Sequence, residues 1–513
     1  MSLEEAVDRL RGKPGSKITV WVKRKKWPEP HKFTLTRAII KIQSVASRLL
    51  ASSVGYVRIK NFQANTFDDL HQHLDQLRRK NKGELKGLVL DLRNNPGGLL
   101  DQAILVSDRF IDRGPLVITV GEGNRKRDVK SAHSQGTEAP YPMAVLVNSG
   151  SASASEIVAG ALKNHDRAVI VGQQTFGKGS VQVLYDFKDH SALKLTIAQY
   201  LTPGDISIQG VGITPDVAVQ PASIEGHDVH VLVADDAMRE KDLEHHLDVP
   251  QIVRESEEVV EATKPAASST PSVTIVHLAE ATKDDDNKPQ SDDDSDAPNE
   301  FVYDFDVQLG HDLVTNARSA DRKKIIADSK AVFLQRAEEQ ESRVVRKLET
   351  LGVDWSTAAK DIEKNARADV SVDLAMSAPG GEAGKPVLAG ETVTFTATVR
   401  NTGNSVLHRV YGISQSENPL FKNLEFPFGK LAPGASRTWT TEVKLPREMS
   451  ARADEVTLTV GDQQQRVTGL KTALVVSIDE QKKPRFAYSM WIDDRAAGNG
   501  DGVLQVGEKV NLM

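Results

Sequence analysis

Two polar residues in glycine-rich surroundings, Ser153 and Lys178, are the ones whose chemistry can be written down from the chain alone. Ser153 lies in Asn148-Ser-Gly-Ser-Ala-Ser-Ala-Ser-Glu156, and Lys178 in Thr175-Phe-Gly-Lys-Gly-Ser-Val-Gln182. A serine attacks a carbonyl only when a base takes its proton, and a lysine serves as that base only when its amine is neutral. At neutral pH this means lowering a lysine pKa from about 10.4 by roughly 3 units, a desolvation cost on the order of 4 kcal/mol. The stretch from Ala168 to Leu184 carries no carboxylate that would hold the amine charged.

Val145-Leu-Val147 reads as a strand end, Asn148-Ser-Gly150 as a turn and Ser155 to Leu162 as a helix. Ser153 therefore falls at a helix N-terminus, where free N–H groups and the positive dipole end can stabilise an oxyanion. The same position also suits plain N-capping by Ser151, Ser153 or Ser155. His165 and Asp166 suggest a Ser-His-Asp set, but a continuous helix puts His165 about 18 Å from Ser153 at ~1.5 Å per residue. Lys163 fails in the same way, and no Gly-x-Ser-x-Gly elbow is present. Lys178 is flanked by Gly177 and Gly179, and Ser180-Val-Gln-Val-Leu184 reads as a strand. If that strand starts near Lys178, then Lys178, Ser180 and Gln182 share a face, and Gln182 can orient the amine. Gly172-Gln-Gln-Thr-Phe-Gly-Lys178 imitates a phosphate-binding loop. Gly179 stands where a magnesium-binding Ser or Thr is needed, and a strand follows where a helix should, so nucleotide binding is excluded. Asp91-Leu-Arg-Asn-Asn-Pro-Gly-Gly98 follows a buried strand; it reads either as a turn or as the place where the Gly98 N–H joins that of Ala154 in an oxyanion hole.

These segments need elements to hold them. Residues 40–222 alternate strand and helix patterns. Gly87-Leu-Val-Leu-Asp-Leu92 and Met143-Ala-Val-Leu-Val147 are continuous apolar runs, the mark of strands buried on both faces. Phe67 to Leu77 and Leu99 to Phe110 have helical spacing, which makes this an α/β domain. Upstream, residues 3–11 read as a short helix and Lys17–Lys23 and Lys32–Thr36 as strands. From 251 to 300 the chain turns polar, and Asp284-Asp-Asp-Asn-Lys-Pro-Gln-Ser-Asp-Asp-Asp-Ser-Asp296 predicts a disordered linker. Residues 301–368 form a charged segment, helical over 311–350. Residues 369–475 carry short alternating strands separated by turns, which predicts an immunoglobulin-like β-sandwich without a disulfide. Residues 476–513 read as the start of a second, truncated β module.

A chain of 513 residues exceeds one domain. Its net charge of −6 argues against a nucleic-acid partner. It has no cysteine, which removes disulfides, thiolate metal sites and a cysteine nucleophile. The first residues lack the apolar core of a signal peptide, and no apolar run is long enough to span a membrane. Both ends read as cut.

Asp91–Gly98, Gly150–Glu156 and Thr175–Gln182, with Thr202-Pro-Gly, Ser207-Ile-Gln-Gly-Val-Gly-Ile213 and Pro215-Asp-Val217, resemble in order and spacing the carboxyl-terminal processing peptidases (tail-specific proteases, peptidase family S41). The resemblance covers about residues 1–250, with the core at 40–250. It implies a ClpP/crotonase-like β/α spiral and a serine endopeptidase that cleaves C-terminal regions of exported or misfolded proteins. It implies Ser153 as nucleophile, Lys178 as general base, Gln182 as the residue orienting the lysine, and Gly98 and Ala154 as oxyanion donors. Asn164 stands where some members carry an acid. Residues 1–39 resemble the C-terminal half of a PDZ domain, so the binding loop for a substrate's C-terminus would precede Met1. The family implies export, to the periplasm or cell surface of a bacterium, and no cofactor. The competing reading is a non-catalytic peptide-binding or surface-interaction protein on a protease-like scaffold. The oligomeric state is open.

A last motif, Asp493-Asp-Arg-Ala-Ala-Gly-Asn-Gly-Asp-Gly502 with Glu508, partly follows an EF-hand loop. Asn499, Asp501 and Glu508 match calcium-ligand positions, but Ala497 stands at the first. The segment reads as a polar turn or a structural calcium loop.

Overall fold

The computed structural model describes residues 7, 9–24, 27, 29–38, 43–121, 127–189, 191–233, 238–243, 271–279, 301–358, 368–378, 386–481, 492–493 and 511–512. The short helix expected at 3–11 and the calcium candidates Asn499, Asp501 and Glu508 lie outside them, wholly or mostly. The chain divides into two compact units, residues 1–221 with 234–342 and residues 222–233 with 343–513.

The first unit begins with a hairpin, β1 (Lys17–Val22) and β2 (His31–Thr36), at the expected positions. Its main sheet contains β3 (Val45–Leu49), β4 (Val54–Ile59) and β5 (Gly87–Asp91). A second sheet contains β6 (Pro115–Gly121) and β7 (Arg127–Ser131). β8 (Met143–Val147) and β9 (Val169–Gly172) return to the main sheet, and β10 (Ser180–Asp186), β11 (Ala192–Thr202) and β12 (Ile206–Ser207) extend the second. β13 (Val217–Glu225) lies beside β9 in the main sheet; along β13-β9-β8-β5-β4-β3 the neighbouring pairs are parallel except β4 with β3.

The apolar runs explain why this sheet is central. Leu88 and Leu90 of β5 and Met143, Val145 and Val147 of β8 point into one core. Val89, Ala144 and Leu146, at the alternate positions, point into a second core on the opposite face. The period of two in a strand thus divides one apolar run between two layers. Helices α1 (Thr66–Asn81), α2 (Leu100–Asp108) and α3 (Ala154–Asn164) fill the first layer through Leu70, Leu74, Leu77, Val106, Ile157 and Leu162.

The second layer is where the sequence reading needs correction. In place of an unbroken linker over 251–300, residues Val273–Leu278 form β15, paired with β13, with Ile275 fully buried. Within the charged segment 301–368, helices α4 (Phe305–Asn316) and α5 (Arg322–Asp328) pack on the sheet, and α6 (Lys330–Thr350) follows. Phe305, Val307, Leu309, Leu313, Val314, Ile325 and Phe333 join Val89, Ala144 and Leu146 in the second core. Sparse apolar residues at helical spacing suffice for this, whatever the overall charge of the segment. Arg322 anchors the layer through Asp166, at 2.9 Å, and Asp216, at 2.6 Å.

The second unit holds β14 (Asp228–His230) and two sheets. One is β16 (Val370–Ser377), β18 (Thr392–Asn401) and β21 (Ser436–Lys444). The other runs β17-β23-β22-β19-β20, with β17 at Val387–Leu388, β19 at Leu407–Gln415, β20 at Glu425–Leu431, β22 at Arg452–Gly461 and β23 at Leu470–Asp479. Strict alternation on β18 buries Val393, Phe395, Ala397 and Val399, and Phe395 meets Phe421 edge-on at 5.4 Å. Beyond these sheets, the described residues of the last stretch form only the two-residue pair Ile492–Asp493 with Asn511–Leu512.

Candidate active site

Ser153 caps α3 from outside the helix, at φ 56° and ψ −113°, a conformation costly for a residue with a side chain. The neighbouring serines are structural: the Ser151 hydroxyl donates to Leu92 O and the Ser155 hydroxyl to Asn95 O, both at 2.8 Å. These bonds lace the serine loop to the loop that follows β5. Ala152 N donates to Asn95 O at 3.0 Å, and Asn94 and Asn148 pair reciprocally, N–H to Oδ1 and Nδ2 to Oδ1, at 2.8 Å.

The glycines of the β5 loop complete the approach. Gly97 (φ 102°) lies so near that a Cβ there would stand 2.8 Å from Ser153 Cβ and 3.0 Å from Ala154 N. Gly98 (φ 140°) leaves 2.2 Å between such a Cβ and Phe62 O. Among the described residues, no acceptor stands on the N–H of Gly98 or of Ala154. Gly98→Ala combines a disallowed φ with a backbone clash. It should destabilise the fold by about 2–4 kcal/mol, read as a lowered urea midpoint; an unchanged midpoint would contradict this geometry.

Lys178 lies in the segment between β9 and β10, held by a residue to which the sequence reading assigned no role. The Glu156 carboxylate is fully buried. Its Oε2 accepts from Ser153 N and from Lys178 N, each at 2.8 Å. Its Oε1 accepts from Gly177 N at 2.7 Å and from the Thr175 hydroxyl at 2.5 Å. One oxygen thus bridges the two backbones, and their nitrogens lie no farther apart than twice 2.8 Å. Burial pushes the Glu156 pKa up to about 7, against the pull of its four donors. A signal was present: Ser-x-x-Glu before an apolar helix is a capping-box pattern, and Glu156 makes its reciprocal half.

β10 begins at Ser180, and the register with β11 skips Ile197 opposite Val181 and Gln182, so the bulge lies on β11. Ser180 is buried, whereas Gln182 is exposed and its amide donates to Thr196 Oγ1 at 3.4 Å. The exclusions stand on observed contacts. His165 sits at the far end of α3 with Nε2 on Pro115 O at 2.7 Å, and Lys163 donates to Thr214 O at 2.5 Å. Asn164 donates to Thr202 Oγ1 and Pro203 O.

A second unassigned cluster sets the β5 loop. Asp91, fully buried, receives the Tyr56 hydroxyl at 2.8 Å and Arg93 through Nε (3.0 Å), Nη2 (2.7 Å) and its backbone N–H (2.9 Å). Burial and the adjacent Asp91 carboxylate raise the Tyr56 pKa, so this hydroxyl stays a donor. Among the described residues no group of His, Cys, Asp and Glu could hold a metal ion.

Residues 53–219 match the family described as peptidase family S41. Over 234 residues the chain is 46% identical to the carboxy-terminal-processing protease of Bartonella bacilliformis, covering 44% of this chain and 53% of that one. It is 40% identical over 225 residues to the carboxyl-terminal-processing protease of a Synechocystis strain, covering 43% and 51%. The solved photosystem II D1 C-terminal processing protease is 35% identical, covering 42% of this chain and 59% of that one, with a TM-score of 0.33. The chain spans about half the length of the curated relatives it matches.

Proposed function

Since residues 53–219 are a peptidase family S41 domain, we propose that the protein is a serine endopeptidase working through a Ser153–Lys178 dyad on the C-terminal regions of polypeptides. The observation that carries this reading is the single Glu156 oxygen shared by Ser153 N and Lys178 N. It brings together the two residues whose chemistry is complementary and which lie on different elements. In the reaction, Ser153 Oγ attacks the scissile carbonyl while the Lys178 amine takes its proton. The N–H groups of Gly98 and Ala154 receive the oxyanion, the lysine returns the proton to the leaving amine, and water hydrolyses the acyl-enzyme in a second cycle. Gln182, on β10 with its amide on Thr196 Oγ1, takes the role of orienting the lysine.

The β1–β2 hairpin fits the expected PDZ half, and the two sheets of the second unit fit an immunoglobulin-like sandwich; export to a periplasmic or surface location goes with the family reading. Among the described residues no helix is long and apolar enough to cross a membrane. A fluorophosphonate ester tests the nucleophile. It should leave one adduct, mapped by mass spectrometry to Ser153. An unlabelled protein that binds an unfolded polypeptide and returns it intact would favour the non-catalytic binding scaffold instead.

A further inference from the structure

The guanidinium that clamps Asp91 has one nitrogen left over, and it is aimed at a helix outside the S41 match. Arg93 Nη1 donates to Asp304 Oδ2 at 3.0 Å and to Asp306 Oδ2 at 3.1 Å. Both acids stand at the N-terminus of α4, and both lie beyond residue 219, where the family match ends. Asp304 is also the cap of that helix, its Oδ1 accepting from Val307 N at 3.0 Å. The positive end of α4 makes this a favourable place for two carboxylates.

The helix cannot shift freely beneath them. Phe305, Val307, Leu309, Leu313 and Val314 are buried against the sheet. At Gly310 a Cβ would meet Leu146 and Val89 side chains at 3.2 and 3.3 Å, and at Gly87 of β5 it would fall 1.9 Å from Val314. Packing therefore fixes the α4 N-terminus relative to β5, and Arg93 passes that position to the loop carrying Gly97 and Gly98. The arrangement is also strained in charge. Three carboxylates, Asp91, Asp304 and Asp306, converge on one guanidinium that is only 17% exposed. Removing a carboxylate would ease repulsion, so a purely structural account has little need of both acids on α4. Positioning explains them better: a fork held on both sides has one orientation, and loss of one side lets the loop rock.

We propose that Asp304 and Asp306 are positioning residues for the serine site, setting the Gly98 N–H through Arg93, so that the site is competent only with α4 docked. This rests on the peptidase reading of Ser153 and Lys178. The test uses the full chain with Asp304→Asn and Asp306→Asn, singly and together, and has two readouts. By hydrogen exchange, the peptide spanning 92–99 should lose protection in the double variant while peptides from β8 keep theirs. On an unfolded protein substrate, kcat should fall about 10–100-fold with KM within about threefold, and Asp306→Glu should recover most of it. Leu74→Ala, which loosens the first-layer core through α1 and leaves α4 and its acids in place, serves as the control for stability. If the double variant exchanges like the parent over 92–99, the proposal is wrong. It is equally wrong if kcat falls no further than in a Leu74→Ala protein of matched melting temperature. A parent without turnover would overturn the dyad reading, and the exchange measurement would still decide whether the acids hold the loop.

Discussion

Lys178→Ala and Ser153→Ala should each reduce turnover of an unfolded protein substrate by about 10³-fold or more while leaving the melting temperature nearly unchanged. The size follows from the way the two residues share one step. Without the amine the serine keeps its proton, and without the serine the amine has nothing to activate, so the double variant should lose little beyond either single one. Stability should barely change, because the half-exposed Lys178 is held through its backbone N–H, which alanine retains. Lys178→Arg is the sharper variant: it keeps charge and length, but an arginine does not deprotonate. It should be as inactive as the alanine. Measured turnover by Lys178→Arg at neutral pH would remove lysine from the role of base.

Glu156→Gln should cost about 10²-fold or more in kcat, although neither of its atoms touches substrate in the proposed reaction. Four donors converge on the carboxylate, three of them backbone N–H groups. An amide has one acceptor oxygen, so whichever way it is turned its NH₂ faces a backbone donor. With the NH₂ at the Oε2 position the bridge between Ser153 and Lys178 is lost; with it at Oε1 the Gly177 N–H, next to Lys178, loses its acceptor. The variant also reports on pH. Burial raises the Glu156 pKa to about 7 from 4.5 in the unfolded chain. The folded state therefore binds the proton more tightly, and this group's contribution to stability is fully present below pH 4.5 and lost as pH rises through 7. The ionised form that satisfies all four donors is thus the less stable one. Parent activity should fall below pH 7 as the carboxyl protonates, and the fall in stability between pH 4.5 and 7 should be shallower in Glu156→Gln. An unaltered pH–stability curve, from melting temperatures across that range, would show that Glu156 does not titrate there.

The central sheet was readable because two faces of burial leave a local mark: Gly87–Leu92 and Met143–Val147 are apolar at every position or nearly so. The helices of the first layer announced themselves by spacing. The second layer was legible as helix over 311–350 but not as a layer on the sheet, since the apolar residues of α4 and α5 are diluted by charge and preceded by a strongly acidic stretch. That stretch drew the reading of 251–300 toward a linker and hid β15.

By itself the sequence determined which residues could do chemistry. Serine and lysine are types with a known proton problem, their glycine-rich surroundings are local, and helix rise alone removed His165. The tertiary structure decided how the two come together. Ser153 and Lys178 sit on loops after different strands, and the oxygen that joins them belongs to Glu156, a residue that reads in sequence as a helix cap. It also decided that Arg93 looks outward to Asp304 and Asp306, more than two hundred positions along the chain. Such long-range contacts depend on which faces of the sheet each helix covers. That is a property of packing, and no local pattern encodes it.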